Sequence, residues 1–162
     1  MYHEFQYGHP EVAEVELTYI RKESKAHILH SPEAMAEVIR KWWHAGQIAM
    51  REVIVALYVD RASQLLCIHE IGRGTQTGVN VEVKAIIKAA LDVHATGIVL
   101  AHNHPSGRLH ASAADHRMTK TVSTAAALFG ISCLDHLIIN SEGEYYSFAE
   151  RDMAALQPTP LT

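Results

Sequence analysis

The sequence predicts a single α/β domain in which a mixed β-sheet is flanked by helices. Two segments have the length and composition of buried strands: 51–60, which is apolar between its charged ends, and the unbroken apolar run at 97–101. Segments with apolar residues spaced three and four apart lie between and after them, which is the pattern of helices that pack on a sheet. A chain of 162 residues is long enough for one such domain with a sizeable core.

The composition is that of an ordinary globular protein, with 48% hydrophobic and 20% charged residues. A net charge of −4 at pH 7 disfavours a broad nucleic-acid-binding surface, because such surfaces are normally basic. Cys67 and Cys133 lie in apolar surroundings without a C-x-x-C motif, which favours reduced, packed thiols. The sequence has neither a signal-peptide pattern nor an apolar run of about 18 residues, so we expect a cytoplasmic protein that does not cross a membrane.

The first elements are an N-terminal extension at 1–25 and a helix that follows it. Weak alternation predicts an edge strand near 12–20 and then a polar loop. The Ser-Pro-Glu sequence at 31–33 predicts a helix start, because it provides an N-cap hydroxyl, a first-turn proline and an acid near the positive end of the helix dipole. Gly46 is placed to end this helix.

A hairpin and a second helix come next. The segment 51–60 is the strongest strand signal in the chain, and 64–71 matches it as a hairpin partner after a polar turn. Glycines and polar residues at 72–78 predict a flexible loop, and the chain has no G-x-x-x-x-G-K-[ST] motif to bind a nucleotide phosphate. Apolar residues between Val81 and Val93 then repeat with helical spacing.

The last third of the chain also alternates between predicted strands and helices. The strand at 97–101 is followed by a turn and then by a helix that opens at Ser112 and ends at Gly130. A second buried strand is predicted at 131–140, and a hairpin turn leads from it into 145–148. Side chains between the first of these strands and its helix therefore lie outside the carboxyl end of a strand, where open α/β sheets bind their ligands.

That junction carries two histidines and an aspartate that suit a catalytic zinc site. Such a site needs three nitrogen or oxygen ligands and one open position for water, and His102, His104 and Asp115 provide three. Each residue alone has an ordinary explanation, since 12 histidines in 162 residues give about one His-x-His pair by chance. Ser112 and Asp115 also match a variant of the helix capping box, a role that is compatible with metal binding.

The pattern H-x-H-P-x(6)-S-x-x-D in this segment resembles the JAMM signature of the JAB/MPN metallopeptidases, and its HNHPSG wording resembles the RadC-like branch. The similarity continues through LDHLII at 134–139 and YYSFAE at 145–150, so it covers residues 30–150. It implies the cytidine-deaminase-like JAB/MPN fold. We therefore expect a RadC-like JAB/MPN domain at 26–152, followed by a disordered tail at 153–162.

The resemblance also implies a reaction, the hydrolysis of peptide or isopeptide bonds by a zinc-activated water. It assigns the metal ligands to His102, His104 and Asp115, and Ser112 resembles the serine that stabilises the oxyanion in this family. Glu52 stands where the family has its general base. Without the resemblance, an acid at the start of a strand is more simply a solvated residue.

Other histidines are expected outside the ligand set. His136 follows Asp135 in a buried strand, so we expect it to form hydrogen bonds behind the site rather than bind the metal. His110 and His116 are expected to face solvent, with a substrate contact as the alternative for His110, and His94 is expected to be a surface residue or a charge partner at the C-terminal end of its helix.

Two other functions stay open as alternatives. One is a DNA repair or recombination accessory protein with a structural or vestigial metal, and the other is a metal-dependent nuclease. No segment here resembles the helix-hairpin-helix that RadC-like proteins often carry, and Val83-Lys84-Ala85 stands where they usually have Pro-Arg-Glu. Lys84 keeps the positive charge of that arginine. Exposed edge strands and a second tryptophan permit a homodimer without requiring one.

Overall fold

The computed structural model describes residues 27–43, 48–74 and 81–160. These residues contain five helices and five strands. In chain order they are α1 (Pro32–Trp42), β1 (Val53–Val59), β2 (Leu65–Arg73), α2 (Val83–Asp92), β3 (Gly97–Asn103), α3 (Ala113–Ala127), β4 (Ser132–Ile139), β5 (Tyr145–Ser147), α4 (Phe148–Arg151) and α5 (Met153–Leu156). The edge strand predicted near 12–20 and the helix end predicted at Gly46 lie outside the described residues.

The five strands form one mixed sheet in the order β2-β1-β3-β4-β5. Strand β1 runs antiparallel to both β2 and β3, β3 and β4 are parallel, and β5 returns antiparallel to β4. A parallel pair needs a crossover connection, which α3 provides between β3 and β4. This arrangement confirms the predicted α/β class, with a mixed sheet flanked by helices.

Helices cover both faces of the sheet. On one face Ile39 of α1 belongs to a core cluster with Val55 and Leu57 of β1. On the other face Ile86 of α2 and Val122 of α3 belong to a second cluster. Because side chains alternate along a strand and both faces are covered, every residue of β1 and β3 is buried. This explains why the two strands read as almost continuous apolar runs.

Serine caps fix the starts of the first helix and of a short helix near the C-terminus. As predicted, the Ser31 hydroxyl accepts a hydrogen bond from the Ala34 amide at 3.2 Å. The Ser147 hydroxyl accepts one from the Glu150 amide at the same distance. Strand β5 therefore ends at Ser147 and α4 begins at Phe148, whereas the sequence pattern had extended the strand through that residue.

The prediction of a disordered tail at 153–162 is wrong for its first part. Helix α5 opens this segment, and Ala155 and Leu156 are buried in a small cluster beside α4. The Lys120 ammonium on α3 also donates a hydrogen bond to the Gln157 carbonyl at 2.7 Å. The segment packs because its few apolar side chains cover the flank of α3, a contact that no local pattern reveals.

None of the helices in the described ranges is both long and apolar enough to cross a bilayer. The longest, α3, has 15 residues, whereas a membrane span needs about 20.

Candidate metal centre

The two predicted histidine ligands lie where β3 reaches the end of the sheet. His102 is the penultimate residue of β3, and His104 follows the strand directly. Asp115 is the third residue of α3, so its side chain returns to the strand end from the first helical turn. The connecting loop turns back at Gly107, whose φ of +76° suits glycine and whose amide donates to the His104 carbonyl at 2.9 Å.

The structure brings these three side chains together. His102 Nε2 lies 2.9 Å from His104 Nε2 and 3.2 Å from Asp115 Oδ1. His104 Nε2 lies 3.7 Å from Asp115 Oδ2. Atoms that bind one tetrahedral ion at about 2.0–2.2 Å lie about 3.3 Å from each other. The three donor atoms therefore fit a single small divalent cation.

The hydrogen bonding of His104 suits it to hold a metal. Its Nδ1 lies 2.8 Å from the Arg108 carbonyl oxygen, which can only accept, so Nδ1 carries the hydrogen. In the neutral ring the Nε2 lone pair then points toward His102 and Asp115. The His104 side chain is 17% exposed, whereas His102 is fully buried, so the cluster is open to solvent on the His104 side.

The charges of the site favour an ionised Asp115. Burial raises its pKa, but the neighbouring His102 and His104 side chains, together with the Ser112 hydroxyl, lower it more strongly and hold the pKa of Asp115 far below the usual range of an aspartate. The pKa of His104 is raised, chiefly by its hydrogen bond to Asp115. A cation at this cluster would therefore compete with a proton for His104, and it would meet a carboxylate that is already charged.

Ser112 and Asp115 form the predicted capping box at the start of α3. The Ser112 hydroxyl accepts from the Asp115 amide at 3.2 Å and donates to Asp115 Oδ2 at 2.7 Å. The Ser112 amide also donates to Oδ2 at 2.7 Å. Because both bonds use Oδ2, Oδ1 stays directed at His102, and the capping and ligand roles coexist.

Glu52 lies at the mouth of the same site. It directly precedes β1 and borders a cleft of about 560 Å³ together with His104, Ser112 and Asp115. Burial raises the pKa of Glu52, and the nearby His102 and His104 oppose this shift. The acid that the family resemblance singles out is therefore half-buried beside the three candidate ligands, and it is not a solvated residue at the start of a strand.

Asn103, the residue between the two histidines, has a role that the sequence did not suggest. Its side chain is fully buried, and its Oδ1 accepts a hydrogen bond from the Val53 amide at 2.8 Å. Its Nδ2 donates to the carbonyl oxygens of Arg51 at 2.8 Å and Ile48 at 2.5 Å. These bonds fix the main chain on both sides of Glu52. The only signal for them is an amide side chain at the end of an otherwise apolar strand.

His136 lies behind His102 and forms hydrogen bonds there, as its place in a buried strand predicted. Its Nε2 is 2.8 Å from His102 Nδ1, and burial holds the pKa of His136 well below the usual value of a histidine. His94 and His110 are exposed, as predicted, and His110 also borders the cleft.

His116 and Lys84 lie outside the cluster. The His116 side chain is 40% exposed, as predicted, and it also has partners on the surface: its Nε2 lies 2.9 Å from Asp152 Oδ2 and its ring packs edge-on against Phe148. Lys84 pairs with Glu82 at 2.8 Å and does not border the cleft. It therefore does not replace a site arginine in the part of the chain that the structure describes.

The mixed sheet, together with a His-x-His pair at the end of its central strand and an aspartate in the first turn of the next helix, is the arrangement of a JAB-type domain. Residues 29–153 match the RadC-like JAB domain, and the chain belongs to that family.

Similar proteins come from several bacteria. UPF0758 proteins of Actinobacillus succinogenes and Delftia acidovorans are 44% identical over 102 residues and 38% identical over 125 residues. These stretches cover 63% and 77% of this chain, and 46% and 54% of the two relatives. A UPF0758 protein of Neisseria gonorrhoeae is 37% identical over 114 residues, which is 70% of this chain and 49% of the relative. The chain spans about half the length of the curated relatives it matches.

We predict that Asn103→Asp lowers the free energy of unfolding by about 3 kcal/mol or more, because a buried carboxylate would face two carbonyl oxygens that now accept from the amide. Chemical denaturation measures the change. Arg51→Ala is the matched control, since it removes an exposed side chain and keeps the carbonyl that Asn103 contacts, and it should change stability by less than about 0.5 kcal/mol. Equal stability of both variants would contradict the buried contact.

We also predict that Asp115→Asn removes most of the bound metal, because it replaces the anionic ligand while retaining an oxygen for the Ser112 cap. Elemental analysis of the purified protein should give about one divalent ion per wild-type chain and far less for the variant. Glu142→Gln, which alters an exposed acid in a turn, should bind metal as the wild type does. A full complement of metal in Asp115→Asn would exclude this aspartate as a ligand.

Proposed function

We propose that this domain is a zinc-dependent hydrolase of peptide or isopeptide bonds. The observation that carries the proposal is the meeting of a half-buried carboxyl group, Glu52, with the cluster of His102, His104 and Asp115 in one cleft. Zinc, when bound, supplies a Lewis acid that lowers the pKa of a coordinated water to about 7 and polarises a substrate carbonyl. The family match supports a JAB-type domain, and the hydrolytic reaction is our inference.

The donor set favours a catalytic site over a structural one. Structural zinc sites have four protein ligands, whereas catalytic sites have three and leave one position for water or substrate. In the described ranges the cluster has three members, two imidazoles and one carboxylate. His104 and Asp115 both border the cleft, so a substrate can approach the ligands directly.

Glu52 acts as the general base in this proposal. Its carboxylate takes a proton from the attacking water and then gives it to the departing amine. Burial raises the pKa of Glu52, which helps the carboxyl group hold that proton between the two steps. Asn103 keeps the main chain at Glu52 in place during this exchange, through its bonds to Arg51 and Val53.

Ser112 is placed to donate a hydrogen bond to the developing oxyanion. Ser112 borders the cleft, and its hydroxyl donates to Asp115 Oδ2 in the structure. A rotation about the Cβ–Oγ bond would direct the same proton into the cleft, while Oγ continues to cap the Asp115 amide and the Ser112 amide continues to hold Oδ2. One donor of this kind typically contributes about 10²–10³ in rate.

The cleft suits an extended peptide. Its volume of about 560 Å³ lies within the range of pockets that enclose small ligands or short segments. Val81, Val83 and Met118 provide an apolar wall, and Arg108 and His110 provide a polar one. An apolar side chain and a peptide backbone can therefore be held at once.

We predict that Glu52→Gln lowers kcat/KM by about 10²–10⁴, because the amide cannot accept the proton of the attacking water. The measurement uses panels of peptides, isopeptide-linked peptides and nucleic acids. The variant should retain the metal content of the wild type, which separates loss of the base from loss of the metal.

The panels also distinguish the alternatives. Turnover of nucleic acids alone would support a nuclease, and salt-dependent DNA binding without turnover would support an accessory role. Peptide hydrolysis that survives Glu52→Gln unchanged would exclude the proposed base.

We further predict that kcat/KM falls as pH is lowered through the raised pKa of Glu52, because only the carboxylate accepts a proton. The midpoint of this acid limb should lie above 4.5, the ordinary value of a glutamate. The residual activity of Glu52→Gln should lack the limb. An acid limb that is identical in both proteins would show that another group controls it.

A further inference from the structure

A chain of buried hydrogen bonds connects two of the metal ligands from behind. His102 Nδ1 lies 2.8 Å from His136 Nε2, and His136 Nδ1 lies 2.7 Å from Thr119 Oγ1. Thr119 Oγ1 in turn lies 2.6 Å from the main-chain oxygen of Asp115. His102, His136 and Thr119 are all fully buried, so water does not replace these contacts.

The directions of these hydrogen bonds follow from the last one. A carbonyl oxygen only accepts, so the single hydroxyl proton of Thr119 goes to the Asp115 oxygen. Thr119 Oγ1 must then accept from His136, which places the hydrogen of that neutral ring on Nδ1. The Nε2 lone pair of His136 accepts in its turn from His102 Nδ1.

In the neutral ring of His102, Nε2 therefore carries no hydrogen and directs its lone pair at the other two ligands. In the opposite tautomer an N–H would occupy the space where the cation must lie. The neutral Nε2–H form predominates for a histidine in water, so the binding form has to be selected by the protein. The ring of His136 stacks on Phe148, with 4.9 Å between centroids and 8° between planes, which keeps its two nitrogens in register with their partners.

We propose that Thr119 and His136 are positioning residues that select the metal-binding tautomer of His102. The proposal rests on the metal-binding part of the function proposed above and does not depend on hydrolysis. Because Thr119 bonds to the main chain of Asp115, the same chain also holds the strand ligand and the helix ligand at a fixed separation. Partners of this kind behind metal-binding histidines typically change metal affinity by about 10–100-fold.

The test uses three substitutions in the full chain. Thr119→Val keeps the shape of the side chain and removes its hydroxyl, and Thr119→Ser keeps the hydroxyl. Thr121→Val is the matched control, since the Thr121 hydroxyl makes the same kind of bond, to the Arg117 carbonyl at 2.8 Å, on the exposed side of α3.

Three measurements are made on each protein. Long-range ¹H–¹⁵N correlation spectra of the metal-free proteins, at mildly alkaline pH, report the tautomer of each histidine. Competition with a chelator measures the affinity for Zn²⁺, and thermal unfolding measures stability.

The wild type, Thr119→Ser and Thr121→Val should show His102 and His136 with hydrogen on Nδ1. Thr119→Val should shift both rings toward the Nε2–H form and weaken Zn²⁺ binding by about 10–100-fold. A merely structural role for the hydroxyl would lower the unfolding temperature without changing the tautomers. Unchanged tautomers and affinity in Thr119→Val would overturn the proposal.

The wild-type spectrum is decisive even if Thr119→Val fails to fold, since an Nε2–H form of His136 there overturns the proposal directly. A wild-type protein that binds no Zn²⁺ would refute the proposed function. The spectra of the metal-free protein would still show whether Thr119 and His136 set the tautomer of His102. Metal binding and the expected tautomers without turnover would refute the hydrolase and leave the positioning role intact.

Discussion

The pairing of β1 with β3 is the interaction on which the site depends. Ile54 lies opposite His102 in this antiparallel pair. Glu52, just before β1, and the two histidines at the end of β3 therefore lie at the same end of the sheet. Because side chains alternate along a strand, a shift of one residue would turn His102 to the opposite face. Buried apolar side chains on both faces of the two strands oppose such a shift. Asn103 adds a direct bond across the pair, at the point where Glu52 enters.

The structure divides the site into a rigid back and an accessible front. His102, His136 and Thr119 are fully buried and bonded to each other, so the fold sets their orientation before any ion binds. Glu52 and His104 are only partly buried and border the cleft, where solvent reaches them. Burial acts in opposite senses on the two groups of ionisable residues, since it keeps His136 uncharged and raises the pKa of Glu52.

The sequence predicted those features that depend on local signals. Apolar runs predicted the central strands, a serine cap and an acid predicted the start of α3, and one short motif contained the whole ligand cluster. The contacts of Asn103 were not predictable, because Val53 lies 50 positions earlier and meets it only when β1 pairs with β3. The bond between Thr119 and His136 likewise joins a helix to a strand through their packing. Helix α5 was missed because its four residues are too few for a periodic pattern and are held by the flank of α3.

The way in which Ser112 holds Asp115 has a consequence for selectivity among metals. With two hydrogen bonds on Oδ2, the aspartate offers a single free oxygen, so the cluster presents two nitrogens and one oxygen. Magnesium and calcium favour shells of six or more oxygens and part reluctantly with their hydration water, so they gain little from such a group. Borderline ions of the first transition row bind imidazole well. With one carboxylate oxygen taken up by the helix cap, the cluster would therefore be a poor site for the abundant alkaline-earth cations.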